Sequence, residues 1–61
     1  MIELGESHYE YGLMWKAKGD YDKAKEHLNK ALDVYRKLKL EKKIKKARGE
    51  LLEIFKEEIL I

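Results

Sequence analysis

The chain has 61 residues, a formal net charge of +2 and no cysteine, which excludes a disulfide framework, a thiolate metal site and a thiol nucleophile. Charged residues make up 43% and hydrophobic residues 44% of the sequence, a balance typical of a soluble amphipathic chain and not of a disordered or membrane-spanning one. We expect one domain, residues 1–61, in the cytoplasm, because nothing requires an oxidising compartment and the N-terminus has no signal-peptide pattern. Lysine (12) exceeds arginine (2) and glutamate (9) exceeds aspartate (3), a bias typical of heat-adapted proteins.

Helical periodicity runs along the whole sequence, and no segment alternates with period two for more than a few residues. The first predicted helix covers residues 3–18. Its apolar residues fit the helical period loosely and are interrupted by Gly5 and Gly12; they are Leu4, Tyr11, Met14 and Trp15. This helix is predicted to end at Lys18-Gly19-Asp20, because glycine suits a helix C-terminus and Asp20 suits the N-cap of the next helix.

The second predicted helix covers residues 21–38, and its apolar stripe advances by 4, 3, 4 and 3 residues: Ala24, Leu28, Ala31, Tyr35 and Leu38. Between Leu38 and Leu40 the apolar phase slips by two residues, which one straight helix cannot absorb. We therefore predict a break at residues 39–41, although no glycine, proline or asparagine marks it. The third predicted helix covers residues 41–59, with the stripe Leu40, Ile44, Ala47, Leu51, Phe55 and Ile59. The sequence predicts an all-α fold.

Residues 5–38 resemble the tetratricopeptide repeat (TPR) family. The matching residues are His8-x2-Tyr11-Gly12-x2-Trp15 and then Gly19-Asp20-Tyr21-Asp22-Lys23-Ala24-x3-Leu28-x2-Ala31-Leu32. The turn from Gly19 to Ala24 is the most specific part, since a bare helical hairpin does not require those residues in that order. The pattern is explained by the close packing of two helices. The small residues that let two backbones approach are Gly12, Ala24 and Ala31, and the large ones that fill the space beside them are Tyr11, Trp15 and Leu28.

The resemblance implies a TPR-like antiparallel hairpin followed by a third helix, which matches less strictly the first helix of another repeat. Such a chain would be a three-helix bundle or a fragment of a solenoid. His8 stands where the family favours tryptophan, and Arg36 stands where many repeats have a proline. Microtubule-interacting-and-transport (MIT) domains have a similar turn, which Gly19 to Ala24 also satisfies, but Tyr11-Gly12 and Trp15 favour the repeat.

The first helices of TPR proteins line a concave surface that binds peptides. By register, the residues of this chain on that surface are Glu6, Tyr9, Leu13, Lys16 and Ala17. The resemblance thus implies a non-catalytic protein–protein interaction module or scaffold that binds a peptide or helix, or a piece of a larger TPR array. Relatives that clamp a C-terminal carboxylate have lysine and asparagine where this chain has Tyr9 and Leu13, so that specificity is not expected.

No residue set suggests catalysis or a cofactor. His8 and His27 are the only histidines; they belong to different predicted helices without partners in a known ligand spacing, and His27 is expected to be an exposed helix residue. Because a metal site usually has three or four protein ligands, we expect none here. Ser7 is the only serine, and the carboxylates are more simply explained as a solvated face. We expect a protein that is not an enzyme.

The strongest electrostatic feature is the run 36–48, in which eight basic residues accompany one acid, Glu41. One alternative function is therefore a basic helical module that contacts nucleic acid or an anionic membrane, through Lys39, Lys42, Lys43, Lys45 and Lys46. The simpler interpretation is that these lysines are the solvent faces of two amphipathic helices. No aromatic residue lies in the run to stack on bases, so the sequence favours the interaction module.

A further alternative is a purely structural or designed fragment that associates with itself. The predicted groove carries Tyr9 and Leu13, and the chain ends in Ile59-Leu60-Ile61. Because exposed apolar surface of this kind usually marks a contact, we expect the partner to be a protein or peptide, neighbouring TPR repeats, or a second copy of the chain. Among homo-oligomers a two-fold dimer is favoured.

Overall fold

Three α-helices make up the computed structural model, which describes the backbone of residues 2–60 and the side chains of residues 4–60. The helices are α1 (Ile2–Lys18), α2 (Tyr21–Lys37) and α3 (Glu41–Leu60), and no strand occurs in this part of the chain. Each boundary lies within one residue of its prediction, and the all-α class is confirmed. α1 and α2 form a closely packed antiparallel hairpin, α3 packs against α2, and α1 touches α3 only lightly.

Both inter-helix turns close with the same backbone hydrogen bonds. After α1, Asp20 N–H donates to the Trp15 carbonyl oxygen at 2.9 Å and Gly19 N–H donates to that of Lys16 at 3.0 Å. After α2, Leu40 N–H donates to the Tyr35 oxygen at 3.0 Å and Lys39 N–H donates to the Arg36 oxygen at 3.1 Å. Each pair of bonds is a Schellman motif, which requires one residue in the left-handed region.

Gly19 fills the left-handed position of the first motif with φ +86°, and Lys39 fills that of the second with φ +55°. The break at residues 39–41 is thus confirmed, and it forms without a glycine because the backbone bonds and the packing of α3 hold lysine in a conformation that it rarely adopts. At the start of α2, the Asp20 carboxylate accepts a hydrogen bond from Lys23 N–H at 3.3 Å, the contact expected of an N-cap.

The core lies along the inner face of α2, between α1 and α3. Its fully or nearly fully buried apolar residues are Ala24, Leu28, Ala31, Leu32, Tyr35, Ala47, Leu51 and Ile54. Burying a side chain of the size of Leu28 contributes about 1.5–3 kcal/mol to stability. In a core of eight residues, the loss of one such side chain removes a large share of the stabilisation. Leu38, the last member of the predicted α2 stripe, is exposed at the C-cap.

The closest approach of α1 to α2 is at its glycines and not at its large apolar residues. Gly5 and Gly12 are buried, and a Cβ at either would stand under 3.0 Å from a side chain of α2. Because the two backbones approach at these glycines, the bulkier residues of α1 are displaced to the edges of the contact. The predicted α1 stripe is therefore wrong for three residues, Leu4, Tyr11 and Met14, which are exposed.

The structure also corrects the packing role that the TPR resemblance implied for Tyr11. Its side chain is 52% exposed and lies beside the His27 ring, with centroids 5.6 Å apart. Trp15 is half-buried against the core, and the ammonium of Lys23 lies 4.4 Å from its ring centroid. The space between the hairpin helices is filled by Leu28, which, like Ala24 and Ala31, is fully buried.

The inner face of α3 departs from prediction in its C-terminal half. Ile54 is fully buried, whereas Phe55 is 48% exposed and Ile59 is more exposed still. The observed stripe, Leu40, Ile44, Ala47, Leu51 and Ile54, advances by 4, 3, 4 and 3 residues, the same rhythm as that of α2. A four-residue step turns the side chain about 40° past a full turn, and a three-residue step brings it back. The predicted run of steps of four, through Phe55 to Ile59, therefore rotates off the core.

Candidate interaction site

A cleft of about 200 Å³ lies where α1 and α3 run side by side without close contact. Two tyrosines and four charged residues line it: Glu6, Tyr9, Glu10, Tyr35, Lys43 and Lys46. Tyr35 is buried at the floor and Tyr9 is half-buried at the side. Burial raises the pKa of both phenols, and as protonated groups they can donate a hydrogen bond.

One ion pair crosses from α1 to α3 at the cleft. Lys43 Nζ donates to Glu6 Oε1 at 2.7 Å, and this hydrogen bond raises the pKa of Lys43. The Lys43 ammonium also lies 5.9 Å from the ring centroid of Tyr35, within the range of a cation–π contact. Glu6 and Lys43 thus join the two walls above the Tyr35 ring.

A second set of ion pairs joins α1 and α3 further along. Lys16 Nζ lies 3.0 Å from Glu50 Oε2 and 2.6 Å from Glu53 Oε2. The hydrogen bond with Glu53 is the main cause of the raised pKa of Lys16, and it lowers the pKa of Glu53. We call these three residues the Lys16 clamp, because they hold α1 and α3 together where few apolar residues meet.

The predicted groove and the observed cleft share only some of their residues. Glu6 and Tyr9 line it, Leu13 is half-buried, and Ala17 is exposed further along α1. Lys16 is engaged by the clamp and does not offer its ammonium to a ligand in this arrangement. The groove prediction missed four lining residues: Glu10, Tyr35, Lys43 and Lys46. Glu10 follows Glu6 by one helical turn, which is a sequence signal, but the others depend on how α2 and α3 lie against α1.

The residues of the basic run are spread over the surface. Lys43 is paired with Glu6, and Lys39 lies in the turn before α3. Lys42, Lys45 and Lys46 are exposed on α3. Lys46 also borders the cleft. This placement fits a solvated face more closely than a continuous phosphate-binding strip.

The two histidines, expected to be isolated, meet across the hairpin. His8 Nδ1 of α1 lies 3.3 Å from His27 Nδ1 of α2, and the ring centroids are 5.5 Å apart. Both side chains are half-buried. Burial is the main reason that the pKa of His8 is lowered, and the charges of His27 and Lys30 lower it further. The expectation that His27 is simply exposed is therefore wrong.

Apolar side chains are exposed along α3 beside its buried stripe. Leu52 and Phe55 border a shallow depression against α2, and Ile59 and Leu60 are 82% and 85% exposed. Ile61, part of the predicted apolar end, lies outside the described residues. No described helix has the length and hydropathy to cross a bilayer. Within residues 4–60, no three His, Cys, Asp or Glu side chains converge as metal ligands.

Comparison with protein-family models, curated proteins and solved structures gave no match. The resemblance to the TPR family consequently rests on the residues quoted above. The geometry of the cleft, the clamp and the histidine pair is therefore the basis for what this chain is proposed to do.

Proposed function

We propose that the chain is a non-catalytic protein–protein interaction module that binds a peptide segment in the cleft between α1 and α3. The observation that carries this proposal is the cleft itself, whose tyrosine floor and wall lie between charged side chains of both signs. Aromatic residues in a concave surface supply large contact area at low conformational cost. The TPR resemblance, which implies peptide binding along first helices, supports the same surface.

The lining determines what the ligand would offer. A bulky apolar or aromatic side chain would pack against Tyr9, which is only half-buried, and a peptide carbonyl group would accept a hydrogen bond from its phenol. Glu10 and Lys46 form no ion pair with another described side chain, so they can meet opposite charges on the ligand. A partner segment with one large apolar residue flanked by charges of both signs fits this lining.

Selection from a random peptide display library tests the proposal while the partner is unidentified. The dissociation constant of a selected peptide is then measured by fluorescence anisotropy against the unmodified chain, Tyr9→Ala, Lys46→Glu and the control Asn29→Ala. Asn29 is exposed on α2, away from the cleft. We expect at least about a tenfold loss for Tyr9→Ala, since a central aromatic anchor contributes about 2 kcal/mol or more. We expect a smaller loss for Lys46→Glu and none for Asn29→Ala.

The same measurement separates the interaction module from the basic alternative. Binding through the cleft should survive an increase from 50 to 300 mM salt with a small change, because most of its contacts are not between free charges. Binding of a polyanion through Lys42, Lys45 and Lys46 should fall steeply over that range. Equal affinity of Tyr9→Ala, Lys46→Glu and the unmodified chain for every selected peptide would reject the cleft.

The exposed apolar residues of α3 favour a second candidate, self-association. Leu52, Phe55 and Ile59 follow one another at helical spacing, and they and Leu60 are exposed; pairing of two copies along this side of α3 would remove them from water. Sedimentation equilibrium from micromolar to millimolar concentration tests this. A dimer that Leu52→Glu abolishes supports it, and a 7.3 kDa monomer at all concentrations contradicts it.

A further inference from the structure

The distance between the His8 and His27 ring nitrogens matches that between two nitrogen ligands of one metal ion. Two nitrogen ligands, each about 2.0–2.1 Å from a tetrahedral ion, lie about 3.3–3.4 Å from each other. The two Nδ1 atoms are 3.3 Å apart, although they belong to different helices. The rings are stacked with an interplanar angle of 27°, so binding requires them to turn until both Nδ1 lone pairs meet one ion.

The remaining properties of the pair also suit a transition-metal ion. Metal binding requires the neutral imidazole. Both rings are half-buried, so their orientation is restricted while one side stays open to water. Imidazole nitrogens select borderline ions such as Zn²⁺, Ni²⁺ and Cu²⁺ over the hard ions Mg²⁺ and Ca²⁺.

We propose that His8 and His27 form a two-imidazole site for a divalent transition-metal ion that links α1 to α2, with water in the remaining coordination positions. The expectation that the chain has no metal site came from sequence spacing, which cannot show that two histidines 19 positions apart meet. Because the protein supplies only two ligands, the bound ion exchanges with free ions in solution. It bridges the hairpin helices, so binding stabilises the folded state over the unfolded one.

Lys30 provides a way to test the site through its charge. It follows His27 by three residues on α2, about one helical turn, and a positive charge there repels a bound cation. Lys30→Gln should therefore strengthen metal binding. A purely structural contact between the two rings would not respond to this substitution by gaining affinity for metal.

Thermal unfolding followed by circular dichroism, with ZnCl2 or NiCl2 at 0 to 1 mM in a buffer without chelators, measures binding. We expect the Tm of the unmodified chain to rise with metal concentration, and MgCl2 to leave it unchanged. His8→Gln and His27→Gln should each weaken binding by at least about tenfold, because even loss of a second-shell partner typically costs 10–100-fold. An equal rise in Tm in either variant, or no rise in the unmodified chain, would overturn the site.

Proton NMR of the unmodified chain gives a readout that does not depend on the folding of any variant. Only two histidines are present, so only two imidazole Hε1 signals occur. Substoichiometric Ni²⁺, which is paramagnetic, should broaden both signals together, because one ion contacts both rings. Broadening of one histidine signal without the other would contradict a shared site.

Discussion

Gly12 of α1 lies so close to Leu28 of α2 that a Cβ at residue 12 would stand 2.7 Å from Leu28 Cγ. The same Cβ would lie 3.3 Å from the backbone carbonyl oxygen of Ala24. Neither atom is the free end of a flexible side chain. The hairpin is therefore built on a close approach of two backbones that only glycine at residue 12 permits.

The first prediction is that Gly12→Ala destabilises the fold although alanine is the better helix former. Overpacking at a tight contact costs about 1–3 kcal/mol, more than the roughly 1 kcal/mol that alanine gains over glycine in a helix. Gly49→Ala is the matched control, because a Cβ there meets no atom within 4 Å. Urea unfolding should show a lower free energy of unfolding for Gly12→Ala and a higher one for Gly49→Ala. A gain of stability in both would show that the hairpin is looser than described.

The same glycines show why hydropathy predicted most of the buried residues of α2 and α3 but not the packing of α1. α2 buries a stripe of alanine, leucine and tyrosine, which a hydropathy pattern detects. α1 buries Gly5 and Gly12, and glycine carries no hydropathy signal. The large apolar residues of α1 therefore suggested the wrong face. Only the TPR resemblance, which gives Gly12 a packing role, pointed to the contact from sequence.

A second prediction concerns Lys39 at φ +55°. Holding a residue with a side chain in the left-handed region costs about 1–2 kcal/mol, and glycine removes this cost but also gains freedom in the unfolded chain, which offsets part of the benefit. Lys39→Gly should thus raise the free energy of unfolding by about 0.5–1 kcal/mol. Gly19→Ala, at the equivalent position after α1, should lower it by a similar amount. Both are measured by urea unfolding, and a loss of stability in Lys39→Gly would show that its side chain contributes a contact.

A third prediction separates Ile54 from its neighbour Phe55 on α3. Ile54 is fully buried and Phe55 is about half exposed. Ile54→Ala should therefore cost about 2–4 kcal/mol through a core cavity, whereas Phe55→Ala should cost less than about 1 kcal/mol. Thermal unfolding of the two variants gives the order directly. The reverse order would restore the stripe through Phe55 that the sequence favoured.

Long-range contacts limited what the sequence could reveal of the candidate site. Register on α1 placed Glu6 and Tyr9 in the cleft, but Lys43 is 37 positions from Glu6 and pairs with it only because α3 folds back beside α1. His8 and His27 likewise meet only because the antiparallel hairpin brings their two helices face to face. Local periodicity describes the faces of one helix, and these sites combine faces of two.

The Lys16 clamp determines in which direction the stability of the fold changes with pH. Hydrogen bonding to Lys16 lowers the pKa of Glu53, so its contribution to stability is fully present above the ordinary glutamate pKa of about 4.3 and is lost as the pH falls through the lower folded value. The same bond raises the pKa of Lys16. That contribution is present below the ordinary lysine pKa of about 10.4 and is lost as the pH rises through the higher folded value.

The fourth prediction is that Lys16→Met reduces the sensitivity of the fold to acid. In the unmodified chain, protonation of Glu53 as the pH falls from 6 to 3 breaks its ion pair with Lys16, and the Tm falls. Without Lys16 this part of the fall is absent, so the difference in Tm between the two pH values should shrink by roughly a few degrees, as for a surface ion pair in a domain of this size. Lys45→Met removes an exposed lysine that pairs with no described carboxylate, and it should keep the full acid sensitivity. If Lys16→Met and Lys45→Met lose the same number of degrees between pH 6 and pH 3, the clamp does not join α1 to α3 in solution.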